Sequence, residues 1–237
     1  MMSRILVIKT GTTLPSLLAA QGDFEDWVIF GLGAPSDRIS VADVQTGAPL
    51  PAPRDVAGIV ITGSHSMVTD HEAWSERTAA WLCDAVEQHT PILGICYGHQ
   101  LLAYALGGEV GDNPRGNETG TVNVYLNETG ATDRLLGGLA NPLRVHVSHQ
   151  QSVLNLPIGA QLLAWSDRDQ HQAFSIGDNV WGVQFHPEFN AAAVRAYTED
   201  DREILRAEGQ DPDRISAQIE ETSHGTEILQ RFARLTL

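Results

Sequence analysis

Two apolar runs separated by one helix-length segment constrain the fold of this chain most tightly. Val56–Thr62 (V-A-G-I-V-I-T) and Pro91–Ile95 (P-I-L-G-I) are apolar on both faces, and Ala73–Gln88 between them has helical patterning. A strand without a polar face must be covered on both sides, which calls for a parallel sheet between helical layers. The same rhythm begins earlier. Arg4–Lys9 is a short β-type run, Leu14–Phe30 has helical character interrupted at Gly22, and Arg38–Val44 is a second strand candidate. Pro49, Pro51 and Pro53 stiffen the connection that follows. Tyr97–Leu106 reads as a helix stopped by Gly107-Gly108.

Past this point the pattern changes. Gly116–Gly130 is rich in Gly, Asn and Thr, with alternation over Thr121–Leu126. Leu143–Val147, Gln161–Trp165, Ala173–Ile176 and Val180–Phe185 read as further strands, the last two joined by a hairpin turn at Asp178-Asn179. Asn190–Leu237 reads as helices, broken at Gly209-Gln210-Asp211-Pro212 and at His224-Gly225. The expectation is an α/β fold in one domain over 1–237: a doubly wound, mostly parallel sheet, an antiparallel portion, and a helical extension over 190–237.

Composition narrows the function classes. The chain has 237 residues and a formal net charge of −15, a surface that repels phosphate backbones, so no nucleic-acid partner is expected. No stretch approaches a membrane span, and the apolar run in Met1–Lys9 is too short for a secretory leader, so a cytoplasmic location is expected. There are two cysteines, Cys83 and Cys96, with no CxxC or Cys/His metal spacing. Cys83 falls on the Ala79–Val86 helical face and reads as packing. The cluster His65, Asp70, His71 and Glu72 lacks ligand spacing, so no metal and no cofactor is expected. Glu199-Asp200-Asp201 reads as a solvated helix face.

Cys96 has a different setting. It lies in Gly94-Ile95-Cys96-Tyr97-Gly98, at a strand-to-helix joint. Such a turn presents a nucleophile: flanking glycines leave room for a sharp bend, and the following helix aims its N-terminal N–H groups at the sulfur. A thiolate needs a base. His186 ends the buried run Trp181–Phe185 and precedes Pro187-Glu188, so it belongs at the sheet edge where α/β sites assemble, with Glu188 able to hold its tautomer.

Taken together, Gly94–Leu102 (G-I-C-Y-G-H-Q-L-L), Ser148–Val153 (S-H-Q-Q-S-V) and Gly182–Glu188 (G-V-Q-F-H-P-E) resemble the class I glutamine amidotransferases. The resemblance runs from about Arg4 to Glu188. It implies a flavodoxin-like sheet and a Cys96–His186–Glu188 triad that cleaves the side-chain amide of glutamine through a γ-glutamyl thioester, releasing ammonia. It implies an oxyanion hole from the backbone N–H groups of Tyr97 and Ser64, and a glutamine pocket from Gly63, Gln100, Glu118, Ser148 and His149. Where the family has Gly-Gly-Pro, this chain has Gly63-Ser64-His65, so a resting loop with a misaligned donor is expected.

Three functions remain open on the sequence. One is a stand-alone, GMP-synthase-like amidotransferase that feeds ammonia to an unidentified acceptor or synthetase partner, since no G-x-x-x-x-G-K-[ST] loop is present. Another is a γ-glutamyl peptidase or hydrolase with the same triad. The third is a redox or stress-response protein in which Cys96 oxidises, against which the His-Pro-Glu motif argues. The helices of Asn190–Leu237 are expected to cap the site or to supply a homodimer face.

Overall fold

The computed structural model describes residues 4–237; Met1–Ser3, the start of the N-terminal run considered above, lie outside the described residues. The described residues form eleven strands: β1 (Arg4–Lys9), β2 (Ile39–Asp43), β3 (Val56–Ile61), β4 (Ile92–Ile95), β5 (Glu109–Asp112), β6 (Glu118–Leu126), β7 (Leu143–His149), β8 (Gln151–Asn155), β9 (Gln161–Trp165), β10 (Ala173–Ile176) and β11 (Val180–Val183). The α-helices are α1 (Pro15–Gln21), α2 (Phe24–Leu32), α3 (Ala73–Glu87), α4 (Tyr97–Ala105), α5 (Glu128–Thr132), α6 (Ala191–Asp200), α7 (Arg202–Ala207), α8 (Pro212–Ala217) and α9 (His224–Thr236).

Nine strands form one sheet in the order β2-β1-β3-β4-β11-β10-β9-β6-β7. The first five are parallel, an order that matches the flavodoxin-like arrangement, and the last four continue antiparallel. Both faces of the parallel half are covered. Ile5, Val7, Val60 and Leu93 pack with Val28, Ile228, Leu229 and Phe232 on one side, while Leu6, Ile8, Ile59, Ile61 and Ile92 pack with Leu82, Leu101 and Leu102 on the other. Adjacent residues of β1 and β3 thus enter opposite cores, which is why these strands have no polar face.

The structure departs from the sequence reading in four places. β5 and β8 pair as a separate two-stranded ribbon, which was not anticipated because each is short and polar. The strand read as Thr121–Leu126 begins at Glu118, and the one read as Val180–Phe185 ends at Val183. His224-Gly225 does not break the helices but opens α9. Gly225 is required there because a Cβ would lie 2.3 Å from Pro187 O, so the chain leaving His186 packs against the helix's first turn. Finally, α9 is no appendage: it lies against α2 and β7 with Ile228, Leu229 and Phe232 fully buried. Among the described residues, no helix is long and apolar enough to cross a membrane.

Candidate active site

The C-terminal ends of β3, β4 and β11 deliver Gly63-Ser64, Cys96 and His186 to one edge of the sheet, where ligands bind in open α/β folds. Cys96 joins β4 to α4 with φ 49° and ψ −102°, a left-handed conformation that costs a non-glycine residue about 1–3 kcal/mol. Two close approaches make the bend. A Cβ on Gly94 would lie 2.4 Å from Gly98 O, and one on Gly98 would lie 2.6 Å from Ile61 O. The G-x-C-x-G motif therefore packs the elbow against itself and against β3.

His186 follows β11 and donates its backbone N–H to His146 O (2.8 Å) on β7, so the far edge of the sheet returns to the site. Its Nδ1 lies 2.8 Å from Glu188 Oε1, and both side chains are almost wholly buried. The carboxylate can only accept, so Nδ1 carries the proton and Nε2 is the ring's working nitrogen. Phe189 stacks on the ring, centroids 3.9 Å apart and planes 17° apart. A methyl built on Gly63 would come within 3.0 Å of His186 Cε1 and 3.9 Å of Cys96 Cβ, so all three residues meet at one point. Burial alone would lower the pKa of His186; the charges of Glu188 and Cys96, with the hydrogen bond to Glu188, outweigh it and raise it. An imidazolium is therefore the favoured form next to the sulfur.

Ser64 has no positive φ, so no glycine-only conformation is demanded of it. Gly11 makes the room, since a Cβ there would lie 2.8 Å from Ser64 Cα. The Ser64 hydroxyl accepts from Ser66 N (3.1 Å), which turns it along the loop. The carbonyl of Gly63 accepts from the hydroxyls of Thr10 (3.0 Å) and Thr62 (3.1 Å). Across a trans peptide the following N–H points the opposite way, so Ser64 N–H faces away from those threonines. Tyr97 N–H is the first amide of α4 and has no partner within the helix. The Tyr97 side chain is packing, with its hydroxyl 2.6 Å from Ser75 Oγ.

A cavity of about 340 Å³ opens over Cys96, lined in part by Ser64, Gln100, Ser148, His149 and Gln151. Gln100 Nε2 donates to Gln151 O (2.7 Å) and Gln184 Oε1 (3.0 Å), which fixes the amide from behind. Ser148 O lies 3.9 Å from Cys96 Sγ.

Glu118 was expected at the pocket wall and is instead behind it. Its carboxylate accepts from Ser166 Oγ (2.6 Å), Gln172 Nε2 (2.6 Å) and His149 Nε2 (3.1 Å). His149 donates from its other nitrogen to Gln151 O (3.0 Å), so both ring nitrogens face acceptors and the ring is a buried cation. Burial opposes that charge, but the hydrogen bond and charge of Glu118, with Asp169 3.9 Å away, raise the pKa to about 9. The stabilisation from this pair is complete below the unfolded histidine value near about 6.5 and is lost as pH rises through about 9. Glu118→Gln should cost about 3–5 kcal/mol at neutral pH, as for any buried pair that loses one partner. Urea midpoints from pH 6 to 10 check this: the wild-type protein should lose stability across that range and the variant should lose much less.

Two further groups were misread or missed. Glu199 and Asp200 are exposed as expected, yet Asp200 also borders the cavity together with Asp201, which is half-buried, and burial raises the pKa of Asp201 to about 6. Tyr197 also lines it, on the same side of α6, three residues before Asp200. That i, i+3 spacing is visible in the sequence, but nothing there says which element α6 faces.

The model of the family "glutamine amidotransferase class-I" matches residues 37–205. The chain is 34% identical over 202 residues to a glutamine-hydrolysing GMP synthase of Aeropyrum pernix, covering 85% of this chain and 35% of that protein. It is 36% identical over 142 residues to gamma-glutamyl peptidase 4 of Arabidopsis thaliana, covering 56% of this chain and 54% of that protein. The chain thus spans between about a third and about half the length of these curated relatives. In fold it resembles a glutamine amidotransferase of Thermotoga maritima, with a TM-score of 0.73, 23% identity, and 98% of this chain and 96% of that chain covered. This chain belongs to the class I glutamine amidotransferase family.

Proposed function

We propose that the protein hydrolyses a γ-glutamyl amide, glutamine being the simplest, through a thioester on Cys96. The observation that carries this reading is the 2.8 Å His186–Glu188 hydrogen bond at an imidazole that shares Gly63 as a close neighbour with an elbow cysteine. The thiolate attacks the amide carbon, and the oxyanion forms between the N–H groups of Ser64 and Tyr97. His186 Nε2–H protonates the departing nitrogen, so ammonia or an amine leaves as the C–N bond breaks. The same nitrogen, now bare, takes a proton from water; the hydroxide adds to the thioester, the C–S bond breaks, and glutamate leaves. Glu188 holds the ring in register through both halves. Gln100 and the Ser148–His149 backbone serve the glutamyl group. The redox reading is disfavoured, because a sulfur that only oxidises has no use for an oriented acid–base pair.

The likeness to a gamma-glutamyl peptidase of Arabidopsis thaliana keeps a second substrate in play, a γ-glutamyl peptide with the same acyl-enzyme. Purified protein is given glutamine and, separately, glutathione-like γ-glutamyl peptides, and free ammonia, glutamate and released amine are measured. Ammonia from glutamine supports an amidotransferase that passes ammonia to an acceptor or synthetase partner. Amine from peptides with little glutamine turnover supports the peptidase. A result with neither ammonia nor amine released would overturn the proposal.

The pH profile carries a further expectation. Because the pKa of His186 is raised, the alkaline limb of kcat/KM should lie above the ordinary histidine range. Glu188→Gln removes the charge that opposes burial, so the limb should move to lower pH. An unmoved limb would remove Glu188 from this role.

A further inference from the structure

The cavity over Cys96 is unevenly charged. Asp200 and Asp201 stand on its α6 side, and among the described residues that line it none is lysine or arginine. His65 lines it too, but burial lowers its pKa, so the ring stays neutral. The His149 cation is matched from behind by Glu118 (3.1 Å) and Asp169 (3.9 Å). The charge left over at the wall is negative.

Asp201 sits where α6 passes into α7. Its backbone is fixed on both sides, N–H to Tyr197 O (2.9 Å) and C=O from Leu205 N–H (2.9 Å). Its Oδ2 meets the hydroxyls of Ser148 and Thr119, cross-strand partners on β7 and β6, at 3.5 Å each, the long limit of a hydrogen bond. Arg202, next in sequence, turns instead to Glu199 (2.6 Å) and Asp213 (2.9 Å). Burial, and after it the charge of Asp200, raises the pKa of Asp201 to about 6. The carbonyl of Ser148 lies 3.9 Å from Cys96 Sγ, so one residue separates this carboxylate from the reacting atom. One turn earlier on α6, the Tyr197 hydroxyl lies 3.0 Å from His65 Nε2, beside Ser64. The α6 wall thus runs from the Ser148 end of the cavity to the Ser64 end.

Gln151, another lining residue, is only 5% exposed. Its Nε2 donates to Thr69 Oγ1 (2.8 Å) and Asp112 Oδ1 (3.1 Å), and because a carboxylate only accepts, the amide cannot be turned round. Its Oε1 is left buried without a partner. A half-buried carboxylate with no cation and a buried oxygen with no donor are both costly until a ligand completes them, and a charged N–H donor answers both.

Every substrate of the proposed reaction shares the γ-glutamyl half, so selectivity by charge falls on the amine half. Resting on the reading of Cys96 as an acylated nucleophile, we propose that Asp200 and Asp201 select γ-glutamyl amides whose amine half carries a positive charge, and oppose those whose amine half ends in a carboxylate. The amide nitrogen still leaves with the proton of His186 Nε2 as the C–N bond breaks; the second, charged nitrogen faces the aspartates.

γ-Glutamyl derivatives of diaminopropane, propylamine and β-alanine are matched in length and carry a cationic, a neutral and an anionic amine half. With the full-length protein at about pH 8, where carboxylates with these pKa values are ionised, kcat/KM for the diaminopropane derivative should exceed that for the β-alanine derivative roughly 10- to 100-fold, with propylamine between. Asp201→Asn keeps the side chain's shape and its hydroxyl contacts; combined with Asp200→Asn it should bring the cationic-to-anionic ratio within about 3-fold. In the wild-type protein, raising ionic strength from about 0.05 M to about 0.5 M should shrink the same ratio, because Asp200 is exposed. A wild-type ratio near unity, a ratio indifferent to salt, or one that survives the double substitution would each overturn the proposal. So would an equal loss on all three substrates in the variant, since the carboxylates would then serve the shared glutamyl group. If the wild-type protein hydrolyses neither these substrates nor glutamine, the reading beneath falls as well; hydrolysis of all three at equal rates overturns this proposal alone.

Discussion

Cys96→Ser should abolish release of glutamate from any γ-glutamyl amide, a loss on the order of 10⁴-fold or more in kcat. The substitution is nearly isosteric, and the elbow that holds residue 96 at φ 49° is built by Gly94 and Gly98, so its shape survives. What changes is the nucleophile. A hydroxyl stays protonated where a thiol can ionise, and one imidazolium with a helix N-terminus does not make it an alkoxide. Because the fold is kept, thermal unfolding of the variant should match wild type within a few degrees. Retention of turnover would exclude residue 96 as the attacking group, whatever else the cavity does.

His186→Ala should lose nearly as much, about 10⁴-fold or more, because members of such a set act as a unit. The variant also strands Glu188, whose side chain is fully buried and has His186 as its partner. An uncompensated buried carboxylate costs about 3–5 kcal/mol, so the alanine protein should be measurably less stable. His186→Asn separates the two effects. Its amide can still donate to Glu188, so stability should largely return while turnover does not. Steady-state kinetics beside a urea titration checks both. Should His186→Asn recover activity together with stability, the imidazole would be scaffolding and not the base.

The parallel half of the fold was legible because its determinants are local. Val56–Ile61 and Pro91–Ile95 are apolar throughout because both faces of β3 and β4 are buried, and Gly94 follows from a close backbone approach to Gly98 within one turn, whereas Gly98 answers to Ile61 on β3. The His-Pro-Glu segment was legible for the same reason, since Glu188 reaches His186 across two residues.

What escaped depends on contacts between distant segments. Gly225 resembles a helix breaker until Pro187 is seen lying against it. The β5–β8 ribbon pairs two short polar strands about 40 residues apart, with no hydrophobic alternation to advertise it. Glu118 carries the family's motif, yet its three partners come from Ser166, Gln172 and His149, so only the fold shows that it neutralises a buried cation behind the cavity. Asp200 is solvated as its sequence suggests, but the half-buried place of Asp201 at the cavity is set by how α6 packs on β6 and β7. The side chain at position 64, which suggested a misaligned donor, has its room made by Gly11, 53 residues earlier.

The central claim is a covalent one, and acid-quenched protein taken during turnover tests it most directly. Mass spectrometry of the digested protein should find the peptide containing Cys96 heavier by one glutamyl group, lost on treatment with a competing thiol and absent from Cys96→Ser. A glutamyl adduct on another residue, or full turnover with no adduct under conditions that trap thioesters, would contradict the mechanism.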